Sequence, residues 1–292
     1  AALLTGREAW AAAGGQSGLS ILKSGMGARP AALGQAYTAL GDDVFAVGYN
    51  PAGLARLTRA QIGLQHGIWL QGANVESAAA AFPLSGGHTL GVSATLLSSG
   101  KIDRTFDDGT GNLDVTKSVG TFTTSDVSAG ALYAHAGRSL SLGIQVKYLQ
   151  STVDDVTKAT VAADAGFQTK DLGRVRLGAS VLNVGGSLGA DPLPTTARAG
   201  VMVEFSKRVR VPVDLVLPFD GSRVKIGGGI EFSPFDILTL RGGVQTGLPF
   251  VPGAGIGLAW HDLGLDYAFT SNPALKETHR INLSLRFGPV RG

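Results

Sequence analysis

Ten charged residues recur along the second half of the chain: Lys147, Arg174, Arg176, Arg198, Glu204, Lys225, Glu231, Arg241, Asp266 and Arg286. Each falls on the polar side of a segment that alternates with apolar residues, so a sheet would gather them on one face. Such a face could line a polar pore or dock another segment. It could also carry mixed-sign ladders that pair across strands and rigidify a closed interior, and the interleaving of signs favours this. Other chemistry is thin. "FDDGTGNLD" concentrates Asp107, Asp108, Asn112 and Asp114, but it lacks the full calcium-loop spacing and its closing Glu, so a solvated loop is the expectation. His66, His88, His135, His261 and His279 show no helical metal spacing. With no cysteine, disulfides, thiolate sites and Cys nucleophiles are excluded and a zinc site is not expected. There is no G-x-S-x-G elbow. "GIGLAW" and "GGGIEF" lie inside strand patterns with no helix following, so they are not phosphate loops. The expectation is no enzyme, no cofactor and no metal.

The elements that position these charges are strands. In "RSLSLGIQVKYLQ", Leu140, Leu142, Ile144, Val146 and Tyr148 alternate with Ser139, Ser141, Gly143, Gln145 and Lys147. "TARAGVMVEF", "RVKIGGGIEF" and "HRINLSLRFG" repeat the pattern. Fourteen such segments are predicted, at 60–70, 74–84, 87–100, 120–136, 139–153, 158–169, 173–185, 194–205, 208–217, 223–233, 237–247, 253–261, 263–271 and 278–288. Short turns (84–88, 136–139, 170–174, 205–208, 233–237, 260–263) alternate with mostly longer connections (101–119, 152–158, 185–195, 218–222, 271–278). Aromatics near the strand ends fall into two groups. Trp69, Phe250 and Phe269 lie at the long-loop side, and Phe82, Phe205, Phe232, Trp260 and Phe287 at the short-turn side. Composition agrees: 43 Gly in 292 residues, 16% charged, and mean hydropathy +0.18, yet no apolar run near the ~18 residues of a transmembrane helix. The fold class expected is all-β, a 14-stranded antiparallel transmembrane β-barrel in the bacterial outer membrane, in contact with its lipid. Net charge is +3, and the Lys and Arg are dispersed rather than clustered, so no nucleic-acid partner is expected. The chain begins at Ala1 and Arg7-Glu8 interrupt any leader-like run, so the expectation is that a leader has already been removed.

One stretch breaks the alternation: "GMGARPAALGQAYTALGDDVFAVGYNPAGLARL", residues 25–57. "ARPAALGQAYTALGDD" reads as a short helix, with Pro30 in its first turn and Gly41 at its end. Its Ala-rich surface cannot form a core alone, but the lumen of a barrel this size can hold it. Two units are expected: an N-terminal hatch, residues 1–57, and the barrel, residues 58–292. Asp42 and Asp43 are expected to cap and anchor the helix end. Pro51 forces Asn50 out of helix, and Asn50 can bond backbone locally, so Asn50, Pro51 and Ala52 are expected to form a hinge or latch rather than a ligand contact.

These residues carry a resemblance. Gly27-Ala28-Arg29, Ala32-Leu33-Gly34, Ala36-Tyr37, Asp42-Asp43 and Asn50-Pro51-Ala52, with "LPTTARAGV" (193–201), "DYAF" (266–269) and "THRINLSLRF" (278–287), resemble the PorV/PorQ family within the FadL-like outer-membrane barrels. The likeness spans residues 19–288 and implies a 14-stranded barrel with a hatch inside it. It implies either of two roles. PorV relatives serve type IX protein secretion as partners of a larger translocon barrel, whereas FadL relatives carry hydrophobic molecules across the outer membrane. A purely structural subunit of a surface complex is a third reading. The loops here are short for a cargo-binding shuttle.

Overall fold

A computed structural model describes residues 18–19, 21–69, 72–107, 113–247, 250–272 and 276–291. Fourteen strands form one closed antiparallel barrel: β1 (Ala60–Ile68), β2 (Asn74–Pro83), β3 (His88–Ser98), β6 (Thr124–Ala136), β7 (Leu140–Val153), β8 (Val156–Thr169), β9 (Val175–Gly185), β12 (Thr196–Ser206), β13 (Val209–Pro218), β14 (Lys225–Phe235), β15 (Leu238–Gln245), β16 (Val251–Trp260), β17 (Leu263–Asn272) and β18 (Lys276–Phe287). Each corresponds to one predicted segment. Closure comes from β1 on β18, with Ala60 opposite Phe287 and Ile68 opposite His279. Two short hairpins extend the connections at one rim: β4 (Ile102–Asp107) with β5 (Leu113–Phe122), and β10 (Ser187–Leu188) with β11 (Asp191–Pro192).

Period-two alternation sorts the side chains as the pleat requires. In β7, Leu140, Leu142, Ile144, Val146 and Tyr148 are exposed outward, while Ser141, Gln145, Lys147 and Leu149 are buried inward. In β18, Ile281, Leu283 and Leu285 face out and Arg280 and Asn282 face in. The exterior is therefore an apolar band. Of the aromatics, Phe82, Phe205, Phe232, Trp260 and Phe250 are exposed; Trp69, Phe269 and Phe287 are half-buried.

The rims differ less than the sequence predicts. Thr152–Lys158 is not a loop: Val153 pairs with Val156, leaving only Asp154-Asp155, with Asp154 in the left-handed region (φ 56). Likewise β17 continues to Asn272 and β18 starts at Lys276. The pleated ladder runs on because its alternating residues can still pair. The 101–119 loop becomes the β4–β5 hairpin. In the acidic stretch, residues 108–112 lie outside the described residues, as do residues 1–17 of the expected hatch.

Residues 21–57 pack inside the barrel. They form α1 (Ile21–Ser24), α2 (Ala28–Ala32) and two 3-10 turns, Val44–Gly48 and Pro51–Arg56. The helix predicted up to Gly41 is a correction: α2 ends after Ala32, where Gly34 (φ 63) and Gln35 (φ 65) turn the chain left-handed. The reason is packing. Leu33, Ala36, Tyr37, Ala39 and Leu40 are all at most 1% exposed, so apolar residues surround this stretch instead of marking one helical face. Gly34 lies so close to the backbone of Val244 and Gly228 that a side chain would displace the wall.

Candidate functional site

The site is the interface between residues 18–57 and the inner wall. Its centre is an ion cluster. Arg29, on α2, donates through Nε to Glu231 of β14 (2.8 Å), and through Nη1 to Asp42 (2.6 Å) and Asp43 (3.0 Å). Glu231 is 1% exposed and also receives Arg241 of β15 (2.8 Å) and Arg210 of β13 (2.5 Å). Arg210 bonds Asp42 (2.9 Å), and Arg241 reaches Asp266 of β17 (2.6 Å). Three guanidinium groups thus meet four carboxylates. Burial disfavours charge on Arg29, but Asp42 and Glu231 outweigh it and hold its pKa well above the usual value. For Asp42, burial is likewise outweighed, by Arg29 and Arg210, and its carboxyl lies well below the usual range. Asp43 is the opposite case: burial wins over Arg29 and raises it.

Asp43 also corrects an expectation. It does not cap the end of α2; its Oδ1 accepts from Phe45 N (3.0 Å) and caps the start of the following 3-10 turn. A carboxylate is an acceptor and satisfies the orphan N–H groups of a helix start, never the carbonyls of its end.

Away from the cluster, wall side chains satisfy the luminal backbone. Asp214 of β13 accepts from Tyr37 N (3.0 Å), Thr38 N (2.9 Å) and Thr38 Oγ1 (2.6 Å), and pairs with Arg198 (3.0 Å). Arg198 Nη2 donates to Gln35 O (2.5 Å). Gln61 accepts from Val44 N (3.1 Å), Ser180 donates to Tyr49 O (2.6 Å), and Gln168 donates to Thr38 O (3.0 Å) and Gly41 O (3.1 Å). Asn50 is fully buried. Its Nδ2 donates to Thr38 O (2.9 Å) and, across to β8, Phe167 O (2.8 Å), while its Oδ1 accepts from Ala52 N (3.1 Å). Pro51 and Ala52 rest on Gly143 of β7, where a Cβ would strike their backbone. Burial pushes the Tyr49 phenol up to about 12, and its hydroxyl donates to Gln35.

The stretch nearer the long-loop rim is held otherwise. Arg280 of β18 donates to Ser24 O (2.6 Å) and Gly25 O (3.1 Å), and Gly27 N to Gln65. Leu19 and Ile21 pack with Leu149, Ala162, Leu188 and Leu193. Two cavities flank residues 21–26. One, of about 60 Å³, lies toward Ser93, Gln145 and Lys147. The other, of about 120 Å³, lies toward Gln35, Arg198 and Lys225. Lys147 pairs with Asp164 (2.8 Å) and donates to Asn183 (2.5 Å).

The predicted inward charges therefore divide. Arg198, Glu231, Arg241 and Asp266 meet at the luminal segment or its ion cluster; Lys147 and Lys225 line the cavities; Arg176 reaches Leu40 O (3.4 Å) and Asp171 (2.7 Å). Glu204 is half-buried near the short-turn end. Arg174 is a correction, and Arg286 reaches only the rim end of the lumen. Both share the inward register and stand exposed at the short-turn rim; among the described residues Arg174 donates only to Phe205 O, whereas Arg286 lines a cavity of about 250 Å³ there with Asp42, Arg56 and Gln61. Sequence reasoning missed Arg210, Asp214 and Arg280. Arg280 shares parity with Asn282 in "HRINL" and was legible there. In β13, Pro212 and Val216 lie on the same inward side as Arg210 and Asp214, which blurs the alternation.

Comparison with solved structures places this fold. The toluene transporter TodX of P. putida superposes with a TM-score of 0.70 at 13% identity, over 91% of this chain and 99% of that one. A TodX deltaS2S3 mutant, a monoaromatic hydrocarbon channel, gives 0.67 at 13% identity, over 90% and 98%. A Pseudomonas aeruginosa FadL homologue gives 0.59 at 12%, over 86% and 95%. At such identities the likeness is one of fold, that of a FadL-like barrel. Comparison with curated protein sequences gives no match. A family model does match residues 13–171, more than half of the sequence, and the chain belongs to the Uncharacterised protein family (UPF0164).

Proposed function

We propose that this protein is an outer-membrane channel for hydrophobic small molecules, with residues 18–57 as its luminal plug and Asn50-Pro51-Ala52 as the latch of that plug. The apolar exterior suits acyl chains, since lipid-facing residues of a membrane barrel alternate with lumen-facing ones. The observation that carries the channel reading is the pair of cavities flanking residues 21–26, inside a barrel of the same fold as a toluene transporter and a hydrocarbon channel. Leu22 borders both cavities, so it marks the partition a solute would pass.

Uptake of the fluorescent probe N-phenyl-1-naphthylamine by intact Gram-negative cells tests this. Cells making the protein should take it up faster than vector controls, and Leu22→Trp, a bulkier residue where the two cavities adjoin, should reduce the gain. Uptake equal to the vector would overturn the channel reading. Deleting residues 1–57 should raise conductance in planar bilayers, and an unchanged conductance would argue against a plug. The second reading, a secretion partner of PorV/PorQ type, is supported by the sequence fingerprint across residues 19–288. It expects a larger barrel or surface proteins to co-purify in gentle detergent. Co-purification without probe uptake would favour a secretion or structural role.

A further inference from the structure

Charge is matched unevenly at the short-turn rim. There the carboxylate of Asp171 is shared by Arg56 and Arg176, and that of Asp262 is taken by Arg59. By contrast Arg138, Lys170, Arg174, Lys207, Arg208 and Arg286 are exposed and, among the described residues, pair with no carboxylate. The remaining rim acids are Asp236, exposed between β14 and β15, and Glu204, half-buried in β12. Five of these six cations lie in three turns, β6–β7, β8–β9 and β12–β13. Because β9 pairs with β12, the three turns are consecutive around the barrel and form one arc. Arg174 spends a donor on Phe205 O (3.2 Å), and Arg208 one on Pro234 O. A guanidinium has five donors, so most of theirs remain free. The opposite rim is mixed: it carries Asp154, Asp155, Asp191 and Glu277 exposed alongside Lys101, Lys158 and Arg223, and its Arg104 and Lys23 are paired with Asp154 and Asp220.

Next to the arc, on the outer wall, Leu140 at the start of β7 and Phe205 at the end of β12 are exposed; Leu142, Phe167 and Leu177 follow farther from the rim, and Tyr133, opposite Ile144, lies farther still. Exposed apolar side chains, Phe205 and Phe167 among them, run up to the free cations at the rim. A bilayer presents the same order as acyl chains and then phosphate. The cations do not converge on a pocket. They are spread over neighbouring turns of one rim, which fits a ring of headgroups better than a single protein contact.

We propose that this arc binds the phosphates of anionic phospholipid in the leaflet surrounding the short-turn rim. The proposal rests on the membrane reading above. The full chain, reconstituted in vesicles of phosphatidylcholine and phosphatidylglycerol, is first tested for co-flotation with lipid. It is then extracted with a styrene–maleic acid copolymer, and the lipid ratio around it is compared with bulk. A rim cation near a membrane surface gives about fivefold local preference for an anionic lipid, so averaged over the annulus an enrichment of about twofold is expected. Combining Arg138→Gln, Lys170→Gln, Arg174→Gln, Lys207→Gln and Arg208→Gln should return the ratio to bulk. Lys101→Gln, Lys158→Gln and Arg223→Gln, at the opposite rim, should leave it raised. About 0.5 M salt should lower the wild-type enrichment, a readout that needs no variant. Co-flotation with a bulk ratio would overturn this proposal alone and leave an acidic protein as the partner to seek; failure to co-float would overturn the membrane reading and this one with it.

Discussion

Residues 28–57 meet the wall through charge and through glycine, whereas residues 21–26 meet it mainly through two carbonyl groups and lie between two cavities. In the first stretch, Arg29, Asp42 and Asp43 join an ion cluster that reaches four strands, and wall glycines such as Gly227 and Gly243 let backbone approach backbone. In the second, Arg280 and the Lys23–Asp220 ion pair at the rim supply the polar hold, and Leu19 and Ile21 the apolar one. A segment fixed by buried charge is costly to move, because each group left behind stays desolvated and unpaired. One fixed by carbonyl bonds beside open space is cheaper to move, because water can replace the lost partner. The contrast assigns anchoring to residues 28–57 and any rearrangement to residues 21–26.

The largest test removes the hub of the anchor. Glu231→Ala leaves Arg29, Arg210 and Arg241 without their shared carboxylate, a loss of about 3–5 kcal/mol. Arg280→Gln, in the other stretch, removes two hydrogen bonds to carbonyls and should cost about 1–3 kcal/mol. The midpoint of heat-induced loss of the compact band on gels would rank them. Equal shifts would end the distinction between the two stretches.

Two glycines provide a second, smaller comparison. Gly34 and Gly25 both take left-handed backbone, φ 63 and φ 68, so alanine at either pays the same local penalty of about 1–2 kcal/mol. Their surroundings differ. A Cβ on Gly34 would meet backbone, the Val244 carbonyl carbon at 2.5 Å and Gly228 O at 2.9 Å; on Gly25 it would meet side-chain ends, including Gln35 Oε1 at 2.6 Å. Gly34→Ala should therefore cost about 1–2 kcal/mol more than Gly25→Ala, since overpacking against fixed backbone is not relieved by a rotamer change. Thermal midpoints of the two variants would decide it, and a larger loss for Gly25→Ala would invert the assignment of anchor and partition.

The strands were legible because one face of each meets a uniform apolar exterior, so β7 and β18 alternate without interruption. Where the inner face meets the apolar luminal segment, as at Pro212 and Val216 of β13, both faces turn apolar and the charges between them lose their signal. The luminal segment was legible as a break in the pattern, and Arg29, Asp42, Asp43 and Asn50 as its polar residues. Its local form was not. Residues 31–40 match helical spacing, yet they are buried on every side by a wall that is distant in sequence, and Gly34-Gln35 ends α2 early. Which rim charges pair with a carboxylate, and which, like Arg174, do not, depends on strand ends that differ from the predicted ones by a residue or two.

The smallest effect separates the two neighbouring acids within the anchored stretch. Asp42 is held below its ordinary value by Arg29 and Arg210 despite burial. Its contribution to stability is therefore present above the unfolded carboxyl pKa of about 3.9 and is lost as pH falls below that. Asp43 is raised by burial, so the folded state takes up its proton more readily. That contribution is present at low pH and is lost as pH rises through the raised value. Asp42→Asn should flatten the acid-induced loss of thermal midpoint between about pH 6 and pH 3, by about 1 kcal/mol, and Asp43→Asn should steepen it. Melting each variant against wild type across that range gives the two slopes. Slopes that change in the same direction would mean that the pair titrates as one site, and that Arg29 does not distinguish the carboxylate it shares with Arg210 from the one that caps the next turn.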